Sequence, residues 1–216
     1  MTIHRNSVHK TNGMDVGLGC PIQWTAMGIP AVGTTDILAT QTITAAGTLA
    51  SRTFTQAASN FTVQPLHPRP IRFRWNATNA GTVGRVIARL YGWDFWGNVV
   101  REIVTRTSIG SADSQTSIRH LISVVFEING TTDASVDVSL GFGLGIGSPV
   151  RLSDDTLTIG GEGGNRDILA IRNPVDDTAI APDTIYANPY NTIIINAAPA
   201  DVKLEIMSRY DELGVL

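Results

Sequence analysis

The chain of 216 residues is poor in cysteine, lysine and glutamate. Cys20 is its only cysteine, which excludes an internal disulfide and a zinc site built from several cysteines. There are two lysines and five glutamates against fourteen arginines and fourteen aspartates. Because lysine and glutamate usually fill exposed helix faces, their scarcity argues against helices. A preference for arginine over lysine suits contacts between subunits, although a GC-rich genome would produce the same bias.

Charge of either sign is sparse, and long apolar runs are missing. Charged residues make up 16% of the chain against about 25% in ordinary soluble domains, so part of the surface is expected to face protein rather than water. The net charge of -3 gives no basic field for phosphates, and nucleic acid is not expected as the main partner. The N-terminus lacks a signal-peptide pattern, and no apolar run reaches the ~18 residues of a membrane span. We therefore expect a protein made in a cytosol, with no membrane partner.

Residues 1–33 are rich in glycine and proline and show no sustained periodicity, so they predict an irregular, extended N-terminal arm. The arm is too apolar for a free disordered tail, since it carries Met14, Leu18, Ile22 and Trp24. We expect it to lie on its own domain or on a neighbouring subunit, with Trp24 as an interface residue. Residues 34–216 are predicted to form a single β-sandwich domain.

Beyond the arm, short β-branched and aromatic runs alternate with turn-forming residues, without helical patterns between them. This arrangement predicts a mostly β protein with antiparallel sheets, either a sandwich of jelly-roll-like type or a barrel. Residues 117–126 also fit a helical stripe, but a strand is favoured. The predicted strands are Ile37–Thr44, Ser51–Thr55, Phe61–Gln64, Ile71–Asn76, Val83–Tyr91, Val99–Thr107, Ile118–Ile128, Ser135–Leu140, Thr156–Ile159, Asp167–Arg172, Thr192–Asn196 and Val202–Arg209.

No group of residues carries a recognisable catalytic or metal-binding pattern. The four histidines have no metal-ligand spacing, and the Gly-x-Ser-x-Gly elbow of many hydrolases is missing. The acidic pairs Asp154–Asp155 and Asp176–Asp177, with Asp183 nearby, offer oxygen ligands for Ca²⁺ but fit solvated turns equally well. Asp94 and Glu102 match a glycosidase carboxylate pair only as any acidic hairpin would. We expect no enzymatic activity, no cofactor and no bound metal.

The run from Gly141 to Gly147 has glycine at every second position, with Phe142, Leu144 and Ile146 between. No helix signal follows, because Pro149 intervenes, so a nucleotide-binding loop is not indicated. Alternate glycines instead predict bare backbone on one face, as in a flat strand that another segment approaches closely or a flexible interface segment.

An aromatic cluster follows the strand predicted to end at residue 91. Tyr91, Trp93, Phe95 and Trp96 lie within six positions, and the turn-forming dipeptide Gly97-Asn98 comes directly after them. Exposed aromatics at a hairpin tip favour a protein contact, while burial in the core and stacking on glycans are the alternatives. Together with Trp24, these four residues are the predicted interface.

The passage from Ala88 to Val104, a strand followed by Gly-x-Asp-x-x-Gly-Asn and a second strand bearing Glu102, resembles a hairpin of tailed-phage virion proteins. The Ser/Thr-rich stretch 108–117 and the Val-Asp-Val-Ser-Leu-Gly strand at 136–141 occupy the places that such proteins give to similar segments. The tryptophans at 93 and 96 and the apolar arm depart from the pattern. The resemblance implies a capsid-associated or tail-associated structural role, with no catalytic residues.

These observations lead to two functional hypotheses. The first is a structural virion protein that coats or cements a phage capsid, forms a homo-oligomer, and contacts a major capsid protein or another virion protein. The second is a glycan-binding module for host attachment, or a tail-associated module, that uses the aromatic cluster as a stacking platform.

Overall fold

The structure, a computed structural model, describes residues 19–26, 31–44, 49–77, 83–130, 135–153, 155–159, 167–195 and 202–209. Over these ranges the chain forms β-strands and no helix, so no helix able to cross a membrane is found there. The prediction of a mostly β, antiparallel protein is confirmed for this part of the chain. The strands are β1 Gly19–Ala26, β2 Leu38–Thr44, β3 Leu49–Thr55, β4 Ile71–Ala77, β5 Val83–Trp93, β6 Val99–Arg106, β7 Gly110–Asp113, β8 His120–Gly130, β9 Ser135–Phe142, β10 Ile146–Gly147, β11 Ile168–Arg172, β12 Thr184–Tyr186, β13 Thr192–Ile194 and β14 Val202–Arg209.

The contacts divide the chain into two compact units. The central unit is Pro30–Gly147, and the flanking unit combines Met1–Ile29 with Ser148–Leu216. This division differs from the predicted one, which separated residues 1–33 from a single domain over 34–216.

The central unit is a sandwich of two four-stranded antiparallel sheets, ordered β2-β9-β4-β7 and β3-β8-β5-β6. Its pairings are nested: β2 pairs with β9, β3 with β8, β4 with β7, and β5 with β6. A long hairpin therefore runs through both sheets and is rolled up, which is the topology of a jelly roll. Further pairings, β4 with β9 and β5 with β8, complete each sheet.

The core of the central unit lies between these two sheets. In β4 the alternation of the sequence buries Ile71, Phe73 and Trp75 on the inner face and turns Arg72 and Arg74 outward. Phe126 of β8 bridges the sheets, with its ring centroid 5.5 Å from that of Phe73 and 5.8 Å from that of Phe54. Each fully buried side chain of this kind contributes about 2 kcal/mol through apolar burial.

The glycine run 141–147, which begins within β9, is approached closely by other segments, as the first of its two interpretations predicted. A Cβ atom at Gly141 would overlap the backbone of Gly33 and Thr34, which cross the outer side of β9. At Gly147 a Cβ would meet Pro68 and Ser117. Glycine is required at these positions because neighbouring chain occupies the space of a side chain.

The flanking unit contains a three-stranded sheet, ordered β1-β14-β11, and the hairpin β12–β13. Strand β1 comes from the predicted arm and pairs antiparallel with β14 over its whole length, so this part of the arm is not irregular. Pro21 and the neighbouring glycines concealed the strand in the sequence, but proline is tolerated because β1 is an edge strand. The rest of the arm before Gly19, and residues 27–30, lie outside the described residues.

Two predicted strands are wrong. Residues 155–159 are irregular, and so is the segment Phe61–Gln64. The Gln64 side chain nevertheless bonds to the backbone of β8 as a neighbouring strand would. Its amide accepts from Leu121 N at 2.9 Å and donates to Leu121 O at 3.0 Å. For residues 117–126 the favoured strand is confirmed from His120 onward, since β8 covers His120–Gly130.

Candidate interaction surface on the jelly roll

The β5–β6 hairpin ends in a tight turn organised by Asp94. Its Oδ1 accepts from Trp96 N at 2.9 Å and from Asn98 N at 2.8 Å, and its Oδ2 accepts from Asn98 Nδ2 at 3.0 Å. Asp94 N donates to Asn98 O at 3.0 Å. Gly97 has φ of 83°, a left-handed conformation that glycine adopts without strain. The turn predicted at Gly97-Asn98 is confirmed, and its hydrogen bonds fix where the aromatic side chains emerge.

Tyr91 and Trp93 lie on the outer face of β5, and Phe95 and Trp96 follow in the turn. Trp93 is 43% exposed and stacks on His120, with ring centroids 5.3 Å apart and an angle of 21°. Trp96 is 37% exposed and makes an edge contact with the half-buried Phe95 at 5.7 Å. Tyr91 is half-buried beneath the guanidinium of Arg101, 5.5 Å from its ring centroid. Two tryptophans are thus presented to solvent on a supported, hydrogen-bonded turn.

The outer face of β6 continues this apolar surface. The register places Val99 opposite Trp93, Arg101 opposite Tyr91, and Ile103 opposite Arg89. Val99 is 53% exposed and Ile103 is 57% exposed. We call this surface the β6 strip; it consists of Trp93, Trp96, Val99, Arg101 and Ile103.

Trp24, the fifth predicted interface residue, lies elsewhere in the fold. It is a half-buried residue of β1 in the flanking unit, opposite Leu204 of β14. The structure therefore gathers Tyr91, Trp93, Phe95 and Trp96 on one hairpin and leaves Trp24 in a different unit. Sequence reasoning missed Val99, Arg101 and Ile103, although their alternation within a predicted strand was the signal that places them on one face.

The outer face of the other sheet is polar. Arg72 of β4 forms a bidentate pair with Asp113 of β7, with distances of 2.6 and 2.9 Å. Asp113 also accepts from Leu144 N at 3.0 Å, and Asp137 accepts from Thr42 Oγ1 at 2.6 Å. Arg72, Asp113 and Asp137 on this face thus have partners within the chain, whereas among the described residues Arg101 of the β6 strip contacts only an aromatic ring.

A second arginine of the central unit is buried. Arg69 donates from a terminal nitrogen to Gly143 O at 2.6 Å, and its guanidinium lies 5.3 Å from the Phe142 ring centroid. Burial lowers the pKa of Arg69 to about 10, partly opposed by Asp113 and Asp36. These contacts tie β9 and the glycine run to the segment before β4, which is a structural role.

The acidic residues considered for catalysis or metal binding make local contacts. Glu102 accepts from the backbone N–H groups of Gln115 at 2.5 Å and Thr116 at 2.9 Å, while Asp94 organises the hairpin turn. Asp177 lies 3.5 Å from Arg172 and 3.7 Å from Lys203. In the described parts of the chain no three histidine, cysteine or acidic side chains converge as metal ligands would. Asp154 is not among the described residues.

Comparisons of the chain with protein-family models, with curated proteins and with solved structures gave no match in any of the three. The evidence for a function therefore comes from the fold and from the β6 strip.

Proposed function

We propose that the protein is a non-enzymatic structural subunit of a tailed-phage particle, which coats or cements the capsid through contacts with its own copies and with a capsid or other virion protein. The observation that carries this proposal is the β6 strip. Exposed tryptophan, valine and isoleucine beside an arginine have the composition of protein contact centres, where aromatic residues and arginine are enriched.

The fold class supports the same proposal. Jelly rolls form the shells of many viruses, and they also occur in lectins and cupins, so the topology is compatible with the role without selecting it. The hairpin sequence that resembles virion proteins coincides with β5, its Asp94 turn and β6. The sequence resemblance and the exposed surface therefore involve the same residues.

The first test is whether the protein is part of particles and whether the β6 strip keeps it there. Gradient-purified virions of the phage that encodes the chain should contain the protein by mass spectrometry. A Trp93→Ala/Trp96→Ala variant should be lost from particles, because both exposed rings of the hairpin are removed. Leu157→Ala is the matched control, since Leu157 is 49% exposed but lies in the flanking unit. Absence of the wild-type protein from virions would overturn the proposal.

The arm requires a modified test because β1 is a paired strand. Deleting residues 1–33 would remove an edge of the β1-β14-β11 sheet and confuse loss of folding with loss of assembly. Deleting residues 1–18 leaves β1 intact. We expect this shorter deletion to yield a folded protein that joins particles poorly, and normal incorporation would remove these residues from the mechanism.

A second candidate function is glycan binding for host attachment, by this chain or as part of a tail. It is favoured by the partly exposed rings of Trp93 and Trp96, because aromatic faces stack on sugar rings. Glycan-array binding by the wild-type protein that disappears in Trp93→Ala and Trp96→Ala would support it. A folded sample that binds no glycan would argue against it.

A further inference from the structure

The flanking unit presents an exposed loop between β11 and β12. At its tip Val175 is 80% exposed, the highest value among the exposed large apolar residues described. Asn173 holds the loop in shape: its Oδ1 accepts from Val175 N at 2.9 Å and its carbonyl accepts from Asp177 N at 2.9 Å. Asn173 N also donates to Thr178 O at 2.9 Å. A large apolar side chain is thus held in water by a loop whose hydrogen bonds fix its position.

The residue after Val175 is an acid that no described basic side chain pairs with. Asp176 accepts from Thr178 N at 3.1 Å and from Thr178 Oγ1 at 2.7 Å, both through Oδ1. These hydrogen bonds lower the pKa of Asp176, so the group is a carboxylate at neutral pH. Among the described residues no lysine or arginine lies within ion-pair distance of it, whereas the adjacent Asp177 has Arg172 and Lys203. The loop therefore presents an apolar tip next to an unpaired negative charge.

The β6 strip has the complementary pattern. Arg101 lies on the outer face between Val99 and Ile103 and is exposed. No carboxylate in the described ranges pairs with it, and its contact is with the Tyr91 ring. The neighbouring Arg89, in contrast, is paired with Glu127 at 2.6 Å. Here an unpaired positive charge stands beside exposed aliphatic side chains.

The wider charge distribution follows the same division. The central unit has nine arginines and no lysine against seven acidic residues, whereas the flanking unit has seven basic and twelve acidic residues. A flanking unit of one copy and a central unit of another would thus attract each other, while two central units would repel. Electrostatic complementarity of this kind selects the partner and orients it more than it sets affinity.

We propose that the loop Asn173–Thr178 of one copy docks on the β6 strip of a second copy, with Val175 against Ile103 and Asp176 paired with Arg101. This inference rests on the proposed self-assembly and names its contact. Ile103 and Arg101 are about 7 Å apart along the strand, a separation that Val175, Asp176 and the long arginine side chain can match. Because the two surfaces differ, the contact forms either reciprocally in a two-fold dimer or head to tail from copy to copy in a ring or an extended array. Such a contact is small, but a coat forms many at once, which raises the overall affinity.

Disulfide trapping tests the pairing directly. In a Cys20→Ala background, full-length Ile103→Cys and Val175→Cys variants are purified separately, then mixed under mild oxidation and run on a non-reducing gel. The mixture should give a heterodimer, and neither variant alone should give its own dimer at a comparable rate. Leu157→Cys replaces Val175→Cys as the control, since it offers an exposed apolar position of the same unit. Heterodimer yields no higher than with Leu157→Cys would overturn the inference.

Charge exchange provides an independent test in the protein that retains Cys20. Arg101→Asp and Asp176→Arg should each weaken self-association about tenfold in sedimentation velocity, because each places like charges together. The double variant Arg101→Asp/Asp176→Arg should recover most of the loss. If the wild type self-associates but the double variant is no better than the single ones, this contact is wrong and the proposed function stands. If the wild type remains monomeric and is not found in virions, the proposed function fails and this inference fails with it.

Discussion

The two outer faces of the jelly roll differ in how their side chains are satisfied. On the β2-β9-β4-β7 face, Arg72, Asp113, Asp137 and Thr42 find partners within the chain, and the crossing segment at Gly33 covers part of β9. On the β6 side, Val99, Arg101 and Ile103 are exposed, and the arginine has no carboxylate partner among the described residues. Since the core-facing sides of both sheets are apolar, the difference lies only in what faces outward. Around β4 the outer face stabilises the fold, and around β6 it is available for contact.

The largest expected effect is a loss of stability on the polar face. Asp113→Ala removes both hydrogen bonds of Arg72 and leaves Leu144 N without its acceptor. Because the pair is about four-fifths buried, with side-chain exposures of 20% and 19%, we expect a loss of about 3 kcal/mol in the free energy of unfolding. Urea denaturation measures this. Arg101→Ala is the matched control on the other face and should change stability by less than about 0.5 kcal/mol; equal losses would abolish the distinction between the faces.

Ile103→Ser is expected to impair assembly without lowering stability. This substitution removes apolar area from an exposed position of β6, so the free energy of unfolding in urea should remain within about 0.5 kcal/mol of the wild type. Self-association and incorporation into virions should fall about tenfold, as for a central contact residue. Thr105→Ser, on the same outer face two residues further along β6, is the control. A variant that assembles normally would show that the exposed aliphatic residues of β6 are not part of a contact.

Local sequence patterns predicted much of the fold. The parts that they did not predict were missed for physical reasons that can be named. Alternation located β4 and β14, and Gly97-Asn98 located the β5–β6 turn, because those signals are local. Strand β7 escaped prediction because Gly110–Asp113 has small and polar residues and is a strand through pairing with β4. Nested pairings such as β2 with β9 join residues about a hundred positions apart, which no local pattern specifies.

The candidate surface was predictable in part for the same reason. Four aromatic residues adjacent in sequence had to lie on one hairpin once the turn was recognised. The outward position of Trp93 beside Val99 depends on the β5–β6 register. Arg101 has no carboxylate partner among the described residues, and this depends on where each acidic residue lies in three dimensions. Trp24 was predicted as an interface residue from the apolar composition of the arm. Composition does not show where in the fold a residue lies.

A smaller effect is expected at the turn that supports the aromatic cluster. Gly97 has φ of 83°, and a Cβ added there would meet no atom within 4 Å. Gly97→Ala should therefore cost about 1 kcal/mol from the left-handed conformation alone, without a steric clash. Gly97→Asn should cost less, because asparagine tolerates this conformation. Thermal unfolding of both variants checks the prediction; equal losses would indicate that crowding rather than the backbone angle is responsible.

The smallest expected effect concerns Glu127, the acid that pairs with Arg89 on the same sheet as the β6 strip. The hydrogen bond from Arg89 lowers the pKa of Glu127 below its ordinary 4.5, and the pair is solvent-exposed. A carboxylate with a depressed folded-state pKa contributes stability above the unfolded-state value, and this contribution disappears as the pH falls through the folded-state value. Glu127→Gln should therefore be slightly less stable than the wild type near pH 6, and this deficit should shrink near pH 3, because protonation of the wild-type carboxyl removes the ion pair as the pH falls. Urea midpoints at the two pH values measure the difference. A deficit in the variant that persists unchanged at the lower pH would mean that the glutamine disrupts packing on this face and that the ion pair is not the cause. The outer side of the β3-β8-β5-β6 sheet would then be more sensitive to substitution than its exposure implies.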